Sequence, residues 1–190
     1  GYTFNGWYSN SALTIKVTSI KLTSNTTIYA KWTAKSYMSF TDVADKAYYR
    51  DAVEWAVDNG ITKGTTATTF SPNATCTRAQ AVTFLWRAAG QPEPKTTQMP
   101  FKDVKAGSYY EKAVRWAVEE GITNGTSNTT FSPDADCTRA QIVTFLWRRE
   151  GKPAPTGANN PFADVKPSAY FGSAVLWAVE TGITNGTSET

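Results

Sequence analysis

Residues 52–65 read AVEWAVDNGITKGT, residues 113–126 read AVRWAVEEGITNGT, and residues 174–187 read AVLWAVETGITNGT. The step is 61 residues each time, carried by Trp55, Trp116 and Trp177 and again by Gly60, Gly121 and Gly182. Ahead of each copy stands Phe-x-Asp-Val, opening at Phe40, Phe101 and Phe162. Behind the first two copies follow TTFSPNATCTRAQAVTFLWR (68–87) and TTFSPDADCTRAQIVTFLWR (129–148). A fixed period of this size marks an array of one supersecondary unit whose copies bury their faces on one another.

Each unit reads as two helices. The first is expected over 48–59, with Tyr49, Val53, Ala56 and Val57 on one stripe and Gly60 as its C-terminal stop. The second is expected over 77–89, with Val82, Leu85 and Trp86 facing inward and Gly90 then Pro92 ending it. QPEPKTTQMP (91–100) and KPAPTGANNP (152–161) read as proline-rich linkers between units. The units are expected at 40–95, 101–156 and 162–190, the third reaching Thr190 before its second helix.

Residues 1–35 follow a different pattern. They are rich in Thr, Ile, Tyr and Trp and are broken by Asn-Gly and Ser-Asn, which is strand and turn chemistry. Tyr2 and Phe4, then Trp7-Tyr8 across Asn5-Gly6, suggest a strand and a turn, and Thr27 to Trp32 a second strand. Such a β module is marginal alone.

Composition narrows the function classes. No histidine occurs among the 190 residues, which removes Ser-His and Cys-His nucleophile systems and the commonest metal ligand. Two cysteines without histidine make no zinc site of the usual kind. The formal charge of +3 is small and unclustered, against a nucleic-acid partner. No run of about 18 apolar residues is present to span a membrane. Seven Trp, nine Tyr and nine Phe suit an aromatic core or a sugar-facing surface.

The pentapeptide CTRAQ occurs at 76–80 and again at 137–141. Thr77-x-x-Gln80 and Thr138-x-x-Gln141 fit a capping box. Cys76 and Cys137, just outside the caps, read either as small buried hydrophobes or as a disulfide pair. Arg78 and Arg139 are unexplained by capping, because the first helical turn disfavours a cation. Together with open backbone N–H groups they make a carboxylate or phosphate site; equally, they form ion pairs with Asp42, Asp103 or another acid. The residues leave both open.

These signatures together resemble S-layer homology domains: F-x-D-V, the Trp-bearing helix, G-I-x-x-G, the F-x-P loop and the T-R-A helix start, over residues 40–190. The resemblance implies a mainly α array of helical-hairpin repeats around a pseudo-threefold axis. It implies non-covalent anchoring to the bacterial cell wall by binding secondary cell-wall polysaccharide, often pyruvylated, with the T-R-A arginine implicated; that residue is Arg78 and Arg139 here. Residues 1–35, through GYTFNGWY and TTIYAKW, are similar to the second half of a Listeria–Bacteroides repeat, a small β-grasp-like surface module, as in a fragment cut at both ends. Two departures stand out. Gln80 and Gln141 replace the usual Glu, and Tyr48-Tyr49, Tyr109-Tyr110 and Tyr170-Phe171 replace the usual His-Trp. These aromatics are expected between helices, with stacking on sugar as the other role.

The expected function is therefore a non-catalytic, extracellular wall anchor that needs no cofactor. Arg78 and Arg139 would grip a carboxylate. Asp42, Asp103 and Asp164 would take sugar hydroxyls or orient the arginines. Trp55, Trp116 and Trp177 would wall the clefts or pack the core. The rival reading is a helical scaffold that binds other surface proteins. A wall hydrolase would need a carboxylate pair, and Asp42, Glu54, Asp58, Glu119 and Glu120 do not recur as one across the copies.

Overall fold

A computed structural model describes residues 2–21, 24–34, 39–157 and 160–187. The chain forms two units, residues 1–59 with 63–71 and residues 60–62 with 72–190.

In the first unit, β1 (Tyr2–Tyr8) lies between β2 (Lys16–Val17) and β3 (Tyr29–Ala34) in an antiparallel sheet. Asn5-Gly6 is not the expected turn. The pairing passes from Phe4↔Trp32 to Gly6↔Lys31, so Asn5 is an extra residue in a β-bulge and β1 continues through it. Gly6 supplies the positive φ of 113° that the bulge needs, and Thr33 donates its hydroxyl to Asn5 Oδ1 at 2.8 Å. The short β2 was not foreseen from the sequence.

The same unit holds α1 (Arg50–Asp58), the first helix of the first repeat. Val53 packs with Phe40 and Val43, joined by Tyr49, Val57 and Phe70, much of the stripe read from the sequence. Asp42 ties the start of this repeat to its F-x-P loop, accepting from Phe70 N–H at 2.8 Å and Ser71 N–H at 2.7 Å.

The second unit holds α2 (Arg78–Ala88), α3 (Glu111–Glu119), α4 (Arg139–Arg149) and α5 (Gly172–Glu180). The helices sit within the expected spans, and both capping boxes form. Thr77 Oγ1 accepts from Gln80 N–H at 3.2 Å while Gln80 Oε1 accepts from Thr77 N–H at 2.9 Å; Thr138 and Gln141 repeat this at 3.2 Å for each bond. The core gathers Val82, Val114, Ile122 and Phe131, each essentially inaccessible to water. Burying a side chain of this size contributes about 1.5–3 kcal/mol.

The helix pairing is out of phase with the sequence repeat. α2 packs on α3 and α4 on α5, whereas the backbones of α3 and α4, which share a repeat, do not approach closely, although Phe145 of α4 joins the core that holds Val114 and Trp116 of α3. The proline-rich segments connect helices that pack on each other, α2 with α3 and α4 with α5. Each is pinned at two points. Trp86 Nε1 donates to Pro92 O and Trp147 Nε1 to Pro153 O, both at 2.8 Å. The Glu119 carboxylate accepts from Lys95 and Thr96 N–H, and the Glu180 carboxylate from Thr156 and Gly157 N–H. Arg87 and Arg148 then donate to Ile61 O and Ile122 O at 3.0 and 3.1 Å, fixing each G-I-T loop to the second helix of its own repeat. No helix among the described residues is long and apolar enough to cross a membrane.

Candidate functional site

Arg78 opens α2 because Thr77 caps it, and the loop of the next repeat then closes over that helix start. Arg78 N–H donates to Ala135 O and Ala79 N–H to Pro133 O, both at 2.9 Å. The backbone donors that were expected to face an anion at this helix start are thus already taken by carbonyls. The side chain is only 3% exposed. Its Nε donates to Phe131 O at 2.8 Å, and its guanidinium carbon lies 4.9 Å from the Phe131 ring centre and 5.4 Å from that of Phe145. Cation–π contacts of this kind offset part of the cost of removing the charge from water.

No carboxylate pairs with Arg78 among the described residues. Among the described residues the guanidinium makes one hydrogen bond, from Nε to Phe131 O, and none from Nη1 or Nη2. Burial pushes the arginine pKa down, opposed by the charges that Cys137, Tyr170 and Asp103 present to it. Asp103 reaches the arginine through one residue: it accepts from Phe131 N–H at 2.8 Å and Ser132 N–H at 2.7 Å, and Phe131 O holds Arg78. The ion pair with Asp103 weighed from the sequence does not form.

Arg139 is placed differently. It is exposed, and its Nη2 donates to Thr184 Oγ1 at 3.0 Å. Among the described residues the N–H groups of Arg139 and Ala140 meet no carbonyl, so the start of α4 keeps the open donors that α2 has used.

The S-layer homology domain family matches at residues 39–82, 100–143 and 161–190, more than half of the chain. The chain belongs to the S-layer homology domain family. A Listeria-Bacteroides repeat domain matches at residues 1–31. The Surface-layer 125 kDa protein of Lysinibacillus sphaericus is 35% identical over 145 residues, covering 73% of this chain and 12% of that protein. An endoglucanase of Bacillus sp. (strain KSM-635) is 35% identical over 109 residues, covering 57% of this chain and 11% of that enzyme. The S-layer protein sap of Bacillus anthracis is 26% identical over 154 residues, covering 80% of this chain and 19% of that protein. The chain thus spans less than a fifth of these relatives' lengths. Its repeats are a cell-surface anchoring module, and in the endoglucanase such repeats form one part of a larger enzyme.

The other expected residues of these S-layer homology repeats separate by environment. Trp116, at 6% exposure, is core between α3 and α2, and Trp177 is core between α5 and α4; Trp55 on α1 is 59% exposed. The three tryptophans are therefore not equivalent, despite the shared Ala-Val-x-Trp-Ala-Val frame. Asp42 and Asp103 clamp their F-x-P loops, while Asp164 is exposed. Gln80 and Gln141 have their side-chain oxygens engaged in the caps.

The aromatic pairs depart from expectation. Tyr49, Tyr110 and Phe171 are partly buried against the cores, but Tyr48, Tyr109 and Tyr170 project to solvent and meet them edge-on at 5.0–5.1 Å. One apolar stripe per helix has room for only the second member of each pair. Glu119 and Glu180 were read only as candidate acids or not at all; the 61-residue step between them was the signal that marked them as structural.

Proposed function

We propose that this chain is a non-catalytic module that holds a larger bacterial surface protein at the cell wall by binding an acidic, pyruvylated secondary cell-wall polysaccharide. The observation that carries this reading is Arg78, a buried cation that among the described residues has no carboxylate partner and makes no hydrogen bond from either terminal nitrogen. Leaving a charge so placed costs folding free energy. A ligand carboxylate would remove that cost, and a planar guanidinium matches a carboxylate in two parallel hydrogen bonds. A ketal-linked pyruvate presents one such carboxylate on a sugar.

The surroundings suit the same ligand. Tyr170 is exposed and near enough to act electrostatically on Arg78, so its ring offers a face to the sugar that bears the acid. Arg139, with the open N–H groups of Arg139 and Ala140, offers a second anion site of shallower form. Titration calorimetry with purified pyruvylated wall polysaccharide tests the reading. The same glycan stripped of pyruvate by mild acid should bind at least about tenfold more weakly, a loss of roughly 1.4 kcal/mol. Equal affinity for the two glycans ends the proposal.

One observation favours a second reading, a scaffold for other surface proteins: the large exposed indole of Trp55. Retention of partner proteins by the chain, with no retention of wall glycan, would select it.

A further inference from the structure

The two cysteines face each other across the junction between the first and second repeats. Thr77 and Asp136 form an antiparallel bridge. It is bracketed by Cys137 N–H donating to Cys76 O at 2.8 Å and Arg78 N–H donating to Ala135 O at 2.9 Å. One step outward along that ladder, Cys76 stands directly opposite Cys137. Opposed residues of an antiparallel pair have α-carbons about 4.5–5.5 Å apart, inside the roughly 4.4–6.8 Å that a disulfide spans. Their side chains also leave the same face. Both sulfurs are partly buried against one core cluster, and both are free thiols, Cys76 donating to Thr77 O at 3.5 Å.

We propose that Cys76 and Cys137 are a disulfide site, whose oxidation staples the helix start of the first repeat to the F-x-P loop of the second. The two flanking contexts, NATCTRAQ and DADCTRAQ, place a sulfur at equivalent positions, and the bridge turns that equivalence into proximity. The oxidant is a low-molecular-weight disulfide. One cysteine thiolate attacks it, forming a mixed disulfide and releasing one thiol. The second thiolate attacks the mixed disulfide at the protein sulfur, forming the Sγ–Sγ bond and releasing the second thiol. Two electrons pass from the protein sulfurs to the oxidant, and the two protons end on the released thiols.

Burial raises both thiols, Cys137 to about 11, so the reactive thiolate is scarce at neutral pH and exchange quickens as pH rises. Once closed, the bond joins residues 61 apart and restrains the unfolded chain.

The test uses the intact chain, incubated with oxidised glutathione at mildly alkaline pH without denaturant, followed by non-reducing peptide mapping. The expected product is a monomer lighter by two hydrogens, with the Cys76 and Cys137 peptides linked. Its melting temperature should rise by ~5–10 °C and return on adding dithiothreitol. Cys76→Ser and Cys137→Ser should each lose the linked peptide and the temperature gain. Glutathione adducts on both cysteines, a disulfide-linked dimer, or two thiols still unreacted would each overturn the proposal.

Discussion

Arg78 donates from Nε to Phe131 O at 2.8 Å, and the N–H of the same Phe131 donates to Asp103 at 2.8 Å. One residue of the second repeat thereby fixes an arginine of the first, while the acid that holds that residue stays out of the ion pair. The arrangement separates stability from binding. Arg78→Met removes a desolvated charge, fills the same volume and leaves Phe131 O short of a donor, effects that oppose each other. The melting temperature should move by only a few degrees, whereas affinity for pyruvylated wall polysaccharide should fall at least about tenfold. Arg78→Lys, which keeps the charge and loses the planar fork, should recover only part of it. Calorimetry and thermal unfolding on the same samples check both halves.

Asp103 is expected to act on the ligand through Arg78. Asp103→Ala leaves two backbone N–H groups, those of Phe131 and Ser132, without acceptors. Ser132 holds a φ of 57°, in the left-handed region, at that clamp. Stability should drop by about 1–3 kcal/mol. Binding should weaken as the Phe131 carbonyl loosens, and the Asp103→Ala, Arg78→Met pair should lose less affinity than the two single losses added together. Full additivity would separate the aspartate from the arginine.

Much of this was readable before any coordinates. Val53, Val82 and Trp86 obey helical spacing, and the Thr77/Gln80 and Thr138/Gln141 caps are local chemistry, set by residues three apart. Pairing between elements was less legible. The repeat in sequence gives no phase, so whether a helix packs on its own repeat or the next was open until α2 was seen on α3. For the same reason Arg78 and Arg139, alike in the four letters that flank them in CTRAQ, could not be told apart: what buries Arg78 is a loop more than fifty residues on. Asn5-Gly6 misled because one dipeptide serves a turn or a bulge, and the partner strand decides which.

The pinned linkers should respond to acid. Backbone N–H groups of Thr96 and Lys95 hold the Glu119 carboxyl below its ordinary pKa, and those of Thr156 and Gly157 do the same for Glu180. The folded values lie below the unfolded one, so the unfolded chain binds more protons in that window and stability rises with pH through it. The contribution is fully present above the ordinary glutamate pKa of about 4.3 and is lost as pH falls through the depressed values. Thermal unfolding followed across that range should show it. Glu119→Gln should flatten part of the slope and speed proteolysis within residues 91–99 at neutral pH.

Two glycines of one loop offer a direct comparison of backbone strain with packing. Gly121 and Gly125 both have positive φ, 66° and 79°, so alanine at either meets the left-handed penalty of roughly 1–2 kcal/mol. Nothing lies within 4 Å of a Cβ built on Gly121. A Cβ on Gly125 would sit 2.5 Å from the ring of Phe101 and closer still to Thr130 O. Phe101 is buried, and its ring lies tilted 5.9 Å from that of Phe131, the residue that holds Arg78, so a shift of Phe101 disturbs the junction. Gly121→Ala should therefore lower stability by about 1–2 kcal/mol and leave glycan affinity unchanged. Gly125→Ala should cost a further ~1–3 kcal/mol through overpacking and should weaken binding as well. Denaturant titrations of the two variants, with calorimetry at a temperature where both stay folded, separate strain from packing; equal losses at the two sites would mean that the Phe101 contact carries no weight.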